Sequence, residues 1–115
     1  MNGTPGTNIA IWEAEGEYPD LCEKLREALK EIADPELGLN IIQLGLVRNV
    51  TIQPDQVIIR MILTTPFCPY GPAMLESTRQ KAEETLERSV IIDFGMEMWD
   101  FSMMEEGLAD NWGLF

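Results

Sequence analysis

Apolar residues recur along this chain with two periods. Leu21, Cys22, Leu25, Ala28, Leu29 and Ile32 repeat at helical spacing and so share one helix face. Pro19 and Asp20 open that helix: proline suits a first turn, and an acid there complements the helix dipole. The outer face alternates Glu23, Lys24, Glu27, Lys30 and Glu31, the mark of a solvated surface. Pro35 disfavours helical geometry at Asp34, which places the stop near Ala33, and Gly38 marks a turn. Ile41-Ile42-Gln43-Leu44-Gly45 then leads into a hairpin closed by the turn Gln53-Pro54-Asp55-Gln56. Pairing Ile52 with Val57 also pairs Val50 with Ile59, Arg48 with Met61 and Leu46 with Leu63. That register turns nearly all the large apolar residues to one face. Arg48 is the exception and belongs near an end of the sheet. After Pro72, a second helical stripe runs through Met74, Leu75, Thr78, Ala82, Thr85 and Leu86. Val90, Ile92, Phe94, Met96 and Met98 alternate with Ile91, Asp93, Gly95 and Glu97, as in a half-buried strand. Ser102 with Glu105 three residues on reads as a capping box for a short last helix, Met103 to Ala109.

The expected fold is α+β, a two-layer sandwich in which two helices cover a three-stranded sheet. Its order is helix, strand, strand, helix, strand, plus a short C-terminal helix. A right-handed crossover from the second strand would lay the third beside the first. The predicted core face is Leu46, Val50, Ile52, Val57, Ile59, Met61, Leu63, Phe94 and Met96, packed on Leu25, Leu29, Leu75 and Leu86. Residues 1–17 carry Gly3, Pro5, Gly6 and Gly16 among acidic residues and read as a flexible N-terminal arm, with Ile9, Ile11 and Trp12 able to dock. Residues 18–115 read as a single α/β domain.

Composition narrows the function. A chain of 115 residues buries an ordinary core without disulfides. Net charge is −12, from 20 acidic and 8 basic residues, which argues against nucleic acid or an anionic membrane surface as partner. There is no histidine, so every Ser/His, Cys/His and His–metal constellation is excluded. No apolar run approaches the ~18 residues of a membrane span, and the first residues do not read as a signal peptide. The expectation is a cytoplasmic protein with reduced thiols.

The two cysteines lie far apart and form no CxxC pair. Cys22 sits inside the first helical stripe and reads as a buried core thiol. Cys68 sits between a strand and a helix, with Pro66, Pro69 and Pro72 around it. A helix start exposes N–H groups, and its dipole favours the thiolate, the form that attacks electrophiles or binds metal. On local chemistry two roles stay open for Cys68: a reactive or metal-binding thiol, or a small hydrophobe plugging the loop. Asp34 likewise reads either as a turn cap or as a functional carboxylate.

Three segments together carry a family resemblance: Asp34-Pro35-Glu36, Asn40-Ile41-Ile42-Gln43-Leu44-Gly45-Leu46-Val47, and Leu63-Thr64-Thr65-Pro66-Phe67-Cys68-Pro69. Over roughly residues 20–104 the chain resembles the PaaD/SufT-type iron–sulfur assembly domain. The resemblance implies a cytosolic factor that helps mature iron–sulfur proteins, as carrier or as adaptor. It carries the family's polar residues onto Asp34, Glu36, Thr64, Thr65 and Cys68, with Cys68 the candidate ligand of a transient iron–sulfur cluster. Met98 stands where the family usually has a proline before the tryptophan, here Trp99. The implied partners are the assembly machinery, client apoproteins and a second copy in a homodimer.

The implied role is non-enzymatic. Thiol chemistry at Cys68 stays open, although the missing histidine and missing resolving cysteine argue against it. The alternative is a non-catalytic interaction module that binds no cluster. Trp99, Met103, Met104, Trp112 and Phe115 are more apolar bulk than a tail needs, and form the expected partner surface unless the tail folds back to close the core.

Overall fold

The computed structural model describes residues 8–65 and 69–105. Helix α1 spans Pro19–Leu29, with Pro19 in its first turn. It stops before the expected Ala33, because Ala33–Asp34 (β1) is drawn into an antiparallel pair with Leu39–Asn40 (β2). Periodicity gave no sign of this two-residue ribbon. Val47–Ile52 (β3) and Gln56–Met61 (β4) form the expected hairpin. The long helix α2 runs Gly71–Leu86, with Pro72 at its start, and Ser89–Phe94 forms β5.

The architecture is α+β: two helices against a three-stranded sheet, with the small β1–β2 ribbon beside it. Val57, Ile59 and Met61 are buried while Gln56, Ile58 and Arg60 are half-exposed, so β4 has one dry face. Leu25 and Leu29 of α1 and Met74, Ala82 and Leu86 of α2 complete the core with Leu46, Val50 and Ile52. Buried Thr78 is satisfied within its own helix, its hydroxyl donating to the Met74 carbonyl at 2.8 Å.

Four expectations need correction. The hairpin register holds at Ile52–Val57 and Val50–Ile59, but a bulge lies between Val47 and Asn49, so Val47 rather than Arg48 faces Met61. The extra residue is Arg48. Its guanidinium donates to the Gly45 and Asn8 carbonyls, at 3.0 and 2.9 Å. The bulge thus keeps a cation off the core face. Second, β5 pairs in parallel with β4, giving the order β3-β4-β5, instead of lying beside β3. Third, β5 stops at Phe94. Phe94 is 45% exposed and Met96 85% exposed, so neither belongs to the core. The cause is the partner strand: β4 ends at Met61 opposite Phe94, and Gly95 makes the last bond, to the Met61 carbonyl. Fourth, the C-terminal segment forms a 3₁₀ turn at Phe101–Met103 and Met104 is extended, so no helix starts at Met103. The cap is Asp100, whose carboxylate accepts from the Ser102 N–H and hydroxyl; Ser102 is not the cap.

Residues 8–17, expected within a loose arm, pack on the domain. Trp12 is buried and its indole N–H donates to the Val47 carbonyl at 3.2 Å. Arg26 stacks over that ring, 4.5 Å from its centroid, and pairs with Glu15. The Glu13 N–H donates to Asn49 Oδ1, and the Thr51 hydroxyl donates to the Glu13 carboxylate. The arm thereby meets β3 at the Val47 carbonyl and at the Asn49 and Thr51 side chains.

Candidate functional site

Asp34 ends β1 immediately before Pro35, which has no N–H to donate. Its Oδ1 accepts from the Glu36 N–H at 2.8 Å and the Leu37 N–H at 3.3 Å, an Asx turn. Its carbonyl accepts from Gly38, whose φ of +72° closes the turn in the left-handed region. Its Oδ2 accepts from the Thr64 hydroxyl at 3.3 Å. With 1% exposure, Asp34 is a buried carboxylate whose oxygens are both engaged. It is both the turn cap and the brace that ties the β1 turn to the segment running from β4 towards Cys68.

The structure therefore brings together Asp34 and Thr64 of the expected set. Glu36 lies exposed on the Asp34 turn, and Thr65 is half-buried beside Thr64. Cys68 lies outside the described residues. Immediately beyond, α2 begins with Tyr70 at its N-cap, whose side chain makes no capping hydrogen bond. Among the described residues no three His, Cys, Asp or Glu side chains converge on a point that could hold a metal ion. Asp34 accepts two bonds on Oδ1 and one on Oδ2, which leaves part of the carboxylate's acceptor capacity unused by these partners.

Cys22 is almost fully buried. Burial pushes its thiol up, Glu15 adds to the rise and Arg26 opposes it. A raised pKa disfavours the thiolate, which is the reactive form.

The expected partner surface divides. Trp99 is half-buried, donates its indole N–H to the Leu44 carbonyl at 2.7 Å, and meets Phe101 edge-on with ring centroids 5.2 Å apart. Met103 and Met104 are buried, which removes them from any exposed surface. Trp112 and Phe115 lie outside the described residues. Exposed instead are Phe94, Met96 and Met98, and the signal that would have found them is Gly95, which interrupts the alternating run.

The Gln43-Leu44-Gly45 turn has a role that sequence reasoning missed: it clamps the C-terminal segment. The Gln43 carbonyl accepts from the Glu105 N–H at 2.9 Å, and the Leu44 carbonyl holds Trp99. Gly45 has φ +73°, and a Cβ there would lie 2.0 Å from the Met103 carbonyl oxygen. Asn40 and Gln43 fix the turn by exchanging bonds, each backbone N–H donating to the other's side-chain oxygen.

Comparison with known proteins matches residues 23–93 to the model of a family described as iron–sulfur cluster assembly protein. A Porphyromonas gingivalis protein called Fe-S protein maturation auxiliary factor is 36% identical over 93 residues, covering 78% of this chain and 89% of the relative. The Bacillus subtilis Fe-S protein maturation auxiliary factor YitW is 38% identical over 61 residues, 52% of this chain and 60% of that protein. A Bacillus anthracis structure, titled a domain of unknown function, DUF59, superposes with TM-score 0.74 over 84% of this chain and 95% of its own. At 23% identity that likeness is one of fold.

Proposed function

This chain belongs to the iron–sulfur cluster assembly protein family, and we propose that it is a maturation factor that takes a cluster as cargo from the assembly machinery and passes it to client apoproteins. The observation that carries this reading is the hydrogen bond, 3.3 Å long, from half-buried Thr64 to the buried Asp34 carboxylate. A carboxylate sealed into the core and spent on a turn and one hydroxyl costs free energy to desolvate, and what it secures is the strand exit that leads to Cys68.

Thiolate is a soft ligand suited to iron–sulfur clusters, and one cysteine cannot supply four protein ligands. Cys68 would bind the cargo together with a small thiol or a second copy of the chain. Incomplete ligation suits transfer, because the client's cysteines then displace a weakly held cluster by ligand exchange. The role is non-enzymatic, in a compartment that keeps thiols reduced. Names borne by the relatives, maturation auxiliary factors, support the same reading.

Anaerobic reconstitution with iron and sulfide, followed by visible absorption, tests it. The expected result is cluster absorption that is lost in Cys68→Ala and kept in Cys22→Ala, with iodoacetamide modifying Cys68 ahead of Cys22 at neutral pH. No absorption, with client maturation intact in Cys68→Ala, would leave an interaction module that binds no cluster.

A further inference from the structure

The two edges of the three-stranded sheet are treated differently. On the β3 side the chain's own arm lies against the strand, with Trp12 bonded to the Val47 carbonyl. On the β5 side no strand among the described residues pairs with the outer edge. The direction of the free amides can be read from two bonds. The Gly95 N–H points inward, to the Met61 carbonyl. The Val90 N–H points outward, and the Glu83 carboxylate of α2 accepts it at 3.1 Å. Backbone groups alternate along a strand, so the N–H groups of Ile92 and Phe94 also face outward. Ile91 and Phe94, on opposite faces of this edge, are 50% and 45% exposed, and Met96 and Met98 continue the apolar surface beyond it.

An open, apolar edge is a template for one more strand, and natural proteins usually blunt such edges. We propose that the β5 edge is a docking site for an extended, basic segment of a partner protein, which adds to the sheet as a fourth strand. Charge selects the occupant. After Arg88 every charged residue of the chain is acidic. Arg60 pairs with both Asp93, at 3.2 Å, and Glu97, at 2.8 Å, and Arg48 also acts on Glu97 and Asp100, so among the described residues these three acids outnumber the two cations that act on them. A second copy would bring another −12 to this edge, whereas lysines or arginines alternating with apolar residues meet both the carboxylates and the exposed side chains. The inference does not rest on cluster carriage, since a chain that never holds a cluster would still bind such a segment.

The test titrates the full chain with a short synthetic peptide of alternating lysine and valine, read by backbone NMR and amide exchange. The expected result is shifts confined to β5 and residues 95–98, slowed exchange at Ile92 and Phe94, and weakening with added salt. A peptide methylated on its backbone nitrogens, or one alternating glutamate with valine, should not bind. Phe94→Pro removes an outward N–H that the internal sheet does not use and should weaken binding about tenfold or more beyond Phe94→Ala, which keeps that donor. The proposal is overturned by equal binding of the methylated or acidic peptide, by shifts elsewhere, or by no binding of the basic peptide. Amides of Ile92 and Phe94 already protected in the free chain, by a second copy or by residues 106–115, would overturn it equally.

Discussion

Met96 and Met98 are 85% and 74% exposed, whereas Met103 and Met104, a few residues further on, are 5% and 0% exposed. The two stretches have similar apolar content; alternation assigns Met96 to the core, and surplus apolar bulk assigns the later pair to a partner surface unless the tail folds back. What separates them is backbone anchorage. Residues 99–105 are held at Leu44 through Trp99, at Asp100 through the Ser102 N–H, and at Gln43 through Glu105. Residues 96–98 have lost their neighbour, because β4 ends opposite Phe94. A methionine is buried where the chain around it is pinned, and hydrophobicity alone does not pin it.

Gly45→Ala attacks the pinned stretch hardest. A left-handed alanine costs ~1–3 kcal/mol and the clash with the Met103 carbonyl a comparable amount, so we expect a loss of about 4 kcal/mol in urea unfolding. A loss below about 1 kcal/mol would show that the clamp yields easily. Met104→Ala should cost about 3 kcal/mol by the same measurement, as a buried methionine truncated in a packed core does. Trp99→Phe keeps a ring but leaves the Leu44 carbonyl without its donor, and should cost about 1–2 kcal/mol. At the far end, Met96→Ala and Met98→Ala should change stability by no more than about 0.5 kcal/mol. Chemical reactivity sharpens the contrast: dilute peroxide, followed by mass mapping, should oxidise Met96 and Met98 before Met103 and Met104. Equal rates at all four would erase the distinction.

Both helices, the hairpin and its turn were legible because each rests on local periodicity and proline placement. Strand order was not. A parallel β4–β5 pair depends on how α2 crosses the sheet, and nothing in the alternation of Val90 to Phe94 says which strand it will join. The bulge at Arg48 announced itself only as a charge on the wrong face. In the site, Asp34 was visible as a cap through its Asp-Pro context, but its bond to Thr64 joins residues far apart in sequence. The clamp at Gly45 escaped because a glycine between apolar residues does not reveal which carbonyl will approach it.

The Trp12 anchor also bears on how this domain is delimited. The stretch that matches the family model, residues 23–93, omits the arm over β3 and the whole segment clamped by Gly45. A fragment cut to those limits would bare the Val47 carbonyl of β3 and the apolar floor beneath Trp99 and Met104. Such a piece carries two sticky margins that the longer chain covers, and its expected fate is aggregation. The stretch that the family model matches is thus smaller than the unit whose margins this chain covers, and the longer matches, 93 residues in one relative, reach beyond it.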